Sequence, residues 1–175
     1  MIPTSQKRPQ PSEYAPYYGT YVNRVSDGDI CQILETQFAR TQALLTKIGE
    51  ARAGYRYSLD KWSIREVIGH VIDTERIFAY RALCFARSEK QQLPGFDQDQ
   101  FVQAANFEKR TLGDLAVEFE LVRKSSVILF RSFSKEDWER SGIANNVEFT
   151  VQSIPYIIAG HELHHCSVLK ERYLV

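Results

Sequence analysis

Apolar residues recur at helical spacing through most of the chain, and four stretches are long enough to fold as helices of several turns. Between Ser26 and Gly49, the residues Ile30, Ile33, Leu34, Phe38, Leu44, Leu45 and Ile48 recur at helical intervals, and Gly49 and Gly54 end the run. Ser63-Ile64-Arg65-Glu66 has the form of a capping box, in which hydroxyl and carboxylate each satisfy an orphan amide at a helix start. A second helix is therefore predicted from about Ile64 to Arg87. A third follows Thr111, with Leu112, Leu115, Val122, Ile128 and Leu129 broadly in register. The fourth is predicted from about Val151 to Tyr173, with Pro155 near its first turn, where a missing amide hydrogen costs little.

The segments between them carry weaker patterns. Ser88 to Phe101 holds Pro94 and Gly95 and reads as a long crossover, with one short helix around residues 97–105. Ser134 to Asp137 starts another short turn, and near Asn145 the alternation of Val147, Phe149 and Val151 predicts a brief extended stretch. Residues 1–25 are rich in proline and tyrosine and predict an extended arm, anchored by Tyr14, Tyr17, Tyr18 and Tyr21 on a domain of residues 26–175. Four long helices with almost no strand signal predict an all-α protein, a four-helix bundle with a long crossover between its second and third helices.

Composition narrows the partners. The chain has 175 residues, 43% of them hydrophobic, and 22 basic residues balance 22 acidic ones. That is the make-up of one folded domain without the basic excess of a nucleic-acid binder or the polybasic patch of a peripheral membrane protein. No run of about 18 apolar residues occurs, and the first residues lack a signal-peptide core, so a soluble cytoplasmic protein is expected. Cys31, Cys84 and Cys166 are odd in number, scattered through helical stretches and never in a C-x-x-C pair. They read as free thiols in a reducing compartment.

The candidate chemistry lies in the four histidines. His161 and His165 stand four apart on the last helix, so both rings project from one face, as two ligands of one metal ion must. His164 points about 100° away from His165 and does not share that face. The same segment, His161-Glu162-Leu163-His164-His165, also reads as H-E-x-x-H, the helix of zinc proteases. The extended form of that motif fails, because Cys166, Ser167 and Val168 follow, and Glu171 is the sole acidic residue beyond. A third protein ligand must come from upstream, and His70 is the only imidazole available there.

Lys61-Trp62-Ser63 with the helix through His70 to Arg76, the loop Leu93-Pro94-Gly95-Phe96-Asp97, and Gly160-His161-Glu162-Leu163-His164-His165 together resemble the DinB/YfiT-like superfamily of metal-binding four-helix bundles, from about Ser26 to Tyr173. The resemblance implies an up-down-down-up bundle and a divalent metal, nickel or zinc, held by His70, His161 and His165. It also implies a homodimer acting on a small molecule. Relatives include transferases that use low-molecular-weight bacterial thiols and metal-dependent hydrolases, so the fold fixes the site better than the reaction.

Three neutral imidazoles leave a divalent ion with open positions, which suits a reactive rather than a closed site. The ion can activate a cofactor thiol for transfer or a water for hydrolysis. Glu162 and Asp73 are the candidate catalytic carboxylates: Glu162 by its place in the motif, although its helix angle suggests an outward salt bridge, and Asp73 as a hydrogen-bond acceptor orienting an imidazole. A non-catalytic, metal-stabilised binding module is the competing class.

Overall fold

The structure, a computed structural model, describes residues 7–174. Its elements are α1 (Gly19–Val22), α2 (Ile30–Ile48), α3 (Ile64–Ala86), α4 (Gln98–Ala105), α5 (Leu112–Arg131), α6 (Lys135–Glu139), β1 (Ser141–Ala144), β2 (Val147–Thr150) and α7 (Ser153–Val168). The starts of the long helices follow local chemistry. Asp29 accepts the Gln32 amide at 3.0 Å to cap α2, Thr111 accepts the Asp114 amide at 3.0 Å to cap α5, and Ser63 and Glu66 form the expected capping box on α3. Gly49, at φ 71°, turns the chain out of α2 in a backbone region that side chains resist.

The bundle consists of α2, α3, α5 and α7. Both α2 and α3 pack most extensively on α5 and α7, so these two consecutive helices face each other across the bundle. In α7 every residue from Ser153 to Glu162 is buried, which is the signature of a central helix rather than an amphipathic surface one. The apolar core falls into two clusters. One gathers Phe78 to Ala86 of α3, Val127 and Phe130 of α5 and Ile154 to Ala159 of α7; the other gathers Ile64 to Ile72, Leu112 to Val122, and Leu169 and Tyr173 at the far end of the last helix. Where the clusters meet, α3, α5 and α7 all place polar residues inside the bundle, and the candidate site lies in that layer.

Three sequence expectations change. The arm is not extended: it forms 3-10 turns at Pro11–Glu13 and Pro16–Tyr18 and then the single turn α1, which packs on α7. Its first six residues lie outside the described ones. Tyr14 is buried and Tyr18 and Tyr21 pack on the core, but Tyr17 stays 64% exposed. The extended stretch is half of a hairpin, because Asn145 and Asn146 both adopt positive φ (52° and 60°) and make the tight turn that pairs β2 with β1. Ser141 to Ala144 carries too little alternation to announce its own strand. Finally, α7 begins at Ser153 and passes into a π turn at Leu169–Tyr173.

Gly160 shows why the arm belongs to the bundle. A Cβ there would lie 2.1 Å from the Tyr21 carbonyl oxygen, so α1 can approach α7 only over a glycine. Gly160→Ala is expected to lower stability by about 1–3 kcal/mol, since backbone rather than a side-chain tip must move. The midpoint of urea unfolding measures this, and an unchanged midpoint would mean that α1 is not held against α7.

Candidate metal centre

His70 lies on the buried side of α3, and His161 and His165 lie one turn apart on α7, which packs against it. The Nε2 atoms of His70 and His161 are 3.0 Å apart, and those of His161 and His165 are 3.1 Å apart. The potential ligand atoms of the three residues all fall within 4.8 Å of one another, in the one such histidine, cysteine and carboxylate grouping found among the described residues. Nitrogens held about 2.0–2.1 Å from one tetrahedral ion stand roughly 3.3 Å apart, so the rings already converge at nearly the spacing that a shared cation requires. The donor set, three imidazoles, fits a divalent transition metal and not calcium or magnesium, which take oxygen ligands.

The rings are held by aromatic neighbours. Trp62 packs on His70 with centroids 4.7 Å apart, and Tyr21 of the arm meets His161 edge to face at 5.3 Å. Burial pushes the His70 ring down to about 4 and the His165 ring down to about 3, with the repulsion of His70 adding to the latter. Burial, then repulsion from His165 and His70, holds His161 well below the usual imidazole range. All three rings are therefore neutral at physiological pH, the form in which imidazole binds metal. His164 is not part of the grouping: its ring lies 5.7 Å from Tyr21 and meets His165 edge to face at 5.0 Å.

The carboxylates differ from expectation. Glu162 does not point outward. It is 1% exposed, its Oε2 accepts Arg123 Nη2 at 2.9 Å and Gln37 Nε2 at 2.5 Å, and its Oε1 accepts the Thr41 hydroxyl at 2.5 Å. The 100° step from His161 turns Glu162 toward the interior because α7 is surrounded on all sides. Arg123 also pairs with Glu75 at 2.7 Å and donates to the Leu34 carbonyl at 2.8 Å, so this one side chain from α5 ties together α2, α3 and α7. Two carboxylates hold its pKa above the usual range despite burial. Asp73 is not placed on an imidazole. It is partly exposed, with Oδ1 3.6 Å from Arg76 Nη1, because three residues of helix carry it past the His70 face to the bundle's edge.

Sequence reasoning gave no role at the site to Arg123 or Glu75, and read Tyr21 only as an anchor of the arm and Trp62 only as part of the helix-start motif. Glu75, two residues after Asp73 on α3, and Arg123, in the middle of the apolar register of α5, were charges at core positions. That was the available signal.

The cluster is not sealed. A pocket of about 390 Å³ reaches His165 and His164 between Trp62, Tyr57 and Tyr173, with Asp60, Lys61 and Asp99 at its polar side. Lys61 is already paired with Asp60 at 2.7 Å, and Tyr173 donates its hydroxyl to the Trp62 carbonyl at 2.7 Å. Cys166, next to His165, lies 3.3 Å from the Thr41 hydroxyl, and burial pushes its thiol up to about 11.

The sequence model of the DinB superfamily matches residues 33–169 of the chain. Among solved structures the chain is similar to YfiT from Bacillus subtilis, described as a probable metal-dependent hydrolase with an unusual four-helix bundle topology. Identity is 13%, with a TM-score of 0.70 over 95% of this chain and 91% of that one. It is also similar to a mycothiol-dependent maleylpyruvate isomerase, at 11% identity and a TM-score of 0.68 over 83% of this chain and 61% of the isomerase. No curated protein sequence matches. At these identities the likeness to solved structures is one of fold. No helix among the described residues is long and apolar enough to cross a membrane.

Proposed function

The chain belongs to the DinB superfamily, and from that premise we propose that it is a metal-dependent enzyme that transfers a low-molecular-weight thiol to an electrophilic small molecule. The observation that carries the reading is the convergence of three neutral imidazoles, one of which, His165, lines an open pocket. His70, His161 and His165 would hold nickel or zinc. When bound, the ion supplies Lewis acidity, which makes a thiol a thiolate near neutral pH. In such a transfer the S–H proton would leave to water, sulfur would bond to the electrophilic carbon, and the leaving group would depart with the electron pair of the broken bond.

This chain's own residues do the rest. Trp62 and Tyr21 pack on the His70 and His161 rings, and Trp62, Tyr57 and Tyr173 give the pocket an aromatic wall. An accessible pocket argues against a purely structural metal. Hydrolysis is the second reading, and the description of YfiT favours it. It needs a group to take a proton from water, and Glu162, the obvious candidate, is locked in the Arg123 pair within the core. That placement favours the thiol. The family resemblance extends to a cytoplasmic homodimer. Val117, Leu121 and Ile128, exposed along one face of α5, supply an apolar stripe for such contact.

Elemental analysis of protein purified without an affinity tag is expected to find one divalent metal per chain, and His70→Ala is expected to lose it. Metal-loaded protein given a panel of bacterial thiols and an electrophilic acceptor should consume free thiol. Full metal content in His70→Ala would sink the three-histidine site. Ester or amide cleavage without thiol would replace transfer with hydrolysis.

A further inference from the structure

Arg81 is the other buried arginine of the bundle, and its surroundings differ from those of Arg123. It is 3% exposed and stacks over the Phe78 ring at 4.9 Å. Its Nη2 donates to the Pro94 carbonyl at 3.0 Å, and the Tyr18 hydroxyl lies beside it. Among the described residues it has no carboxylate partner, whereas Arg123 has two. A buried cation without a counter-charge is costly, and a guanidinium carries five donors, more than these neighbours occupy.

Arg81 lines a pocket of about 310 Å³ whose walls are otherwise almost wholly apolar: Ile77, Leu93, Pro94, Phe96 and Phe101. The pocket lies roughly 16 Å along the α3 axis from His70, well away from the histidine cluster. Its walls are built into the fold. The Leu93 amide donates to the Ile143 carbonyl at 2.9 Å, and the Asn145 amide donates to the Leu93 carbonyl at 3.0 Å, which holds the loop on the hairpin. Gly95 presses so closely on Asn145 that a Cβ would lie 2.5 Å from its Oδ1. Phe96 and Phe101 meet edge to face at 5.2 Å. Arg76 also reaches the pocket, but its charge is taken by Glu118 and Asp73.

We propose that this pocket is a second ligand site, which takes a small apolar monocarboxylate: its carboxylate pairs with Arg81, and its hydrocarbon or aromatic body fills the space between Ile77, Phe96 and Phe101. One uncompensated guanidinium balances one negative charge and presents donors in the fork geometry that a carboxylate matches. A doubly charged phosphate would leave a charge unbalanced against apolar walls. The volume is that of a small-molecule site.

Calorimetric titration of the metal-free full-length protein with 4-phenylbutyrate and octanoate tests this. The expected result is one site per chain, with octanamide and Arg81→Met each weakening binding at least tenfold, and with His165→Ala binding as the unaltered protein does. Ile77→Trp, which fills the pocket and leaves Arg81 in place, should also abolish binding, so the answer survives if Arg81→Met fails to fold. Absence of binding, equal affinity for octanamide, or loss in His165→Ala with retention in Ile77→Trp would overturn the proposal. A dimer that Ile77→Trp dissociates, without carboxylate binding, would assign the pocket to a second copy and overturn it equally.

Discussion

Arg123→Met is expected to destabilise the folded protein by about 3–5 kcal/mol, read from urea unfolding, although methionine fills much of the same volume. The cause is what the substitution leaves behind. Glu75 and Glu162, each 1% exposed, would be left in the core without the cation they pair with, and the Leu34 carbonyl would lose its donor. The triple variant Arg123→Met, Glu75→Gln, Glu162→Gln should recover much of the loss, because removing all the charges together leaves no unpaired ion. A loss below about 1 kcal/mol for the single variant would mean that the triad does not hold the bundle. Glu162 follows His161 directly, so the same tie fixes the rotation of α7 that turns both histidine rings toward His70. The variant should accordingly bind metal more weakly while its helix content, read by circular dichroism, is retained.

Acid should cost the metal-free protein on the order of 5 kcal/mol between pH 6.5 and pH 4.5 through His70 and His165 alone, with His161 adding to the loss. The folded-state pKa of His70 is lowered to about 4 and that of His165 to about 3. In the unfolded chain both titrate near 6.5. Lowered histidine values mean that the native state refuses protons the unfolded chain accepts, so stability is fully present above about pH 6.5 and declines as pH falls below it. Each ring then contributes a loss of about 2–3 kcal/mol by pH 4.5. Unfolding free energies of chelated protein across this range measure the slope. A flat profile, or one matched by His70→Ala, would show that the rings are not held neutral by burial. With a metal bound the profile should shift, because protons then compete with the ion for the same nitrogens.

The long helices were legible because their signals are local. The capping box at Ser63 and Glu66, the cap at Thr111 and the glycine stop at Gly49 act within a few residues, and the core faces of α2, α3 and α5 repeat at the helical period. The arm and the hairpin were less legible for the same reason. Proline and tyrosine in the first residues say nothing of the glycine on α7 that lets α1 dock, and the hairpin turn depends on two asparagines whose left-handed conformation the sequence only permits.

For the candidate centre, the i, i+4 pair of His161 and His165 was visible because one helix alone puts both rings on one face. Their meeting with His70 across 91 positions is a property of packing, since it depends on α7 lying beside α3 while α2 stands across the bundle. The direction of Glu162 was misread because a helix angle specifies a face but not what covers it. On an outer helix that face would meet water, and on this central one it meets Arg123. By itself the sequence determined the helices, the histidine pair and the kind of ion that imidazoles suit, all consequences of short-range periodicity and donor chemistry. Only the tertiary structure decided which charges are buried together, which buried arginine has no carboxylate beside it among the described residues, and where His165 opens to a pocket, because each of these depends on surfaces contributed by segments far apart in the chain.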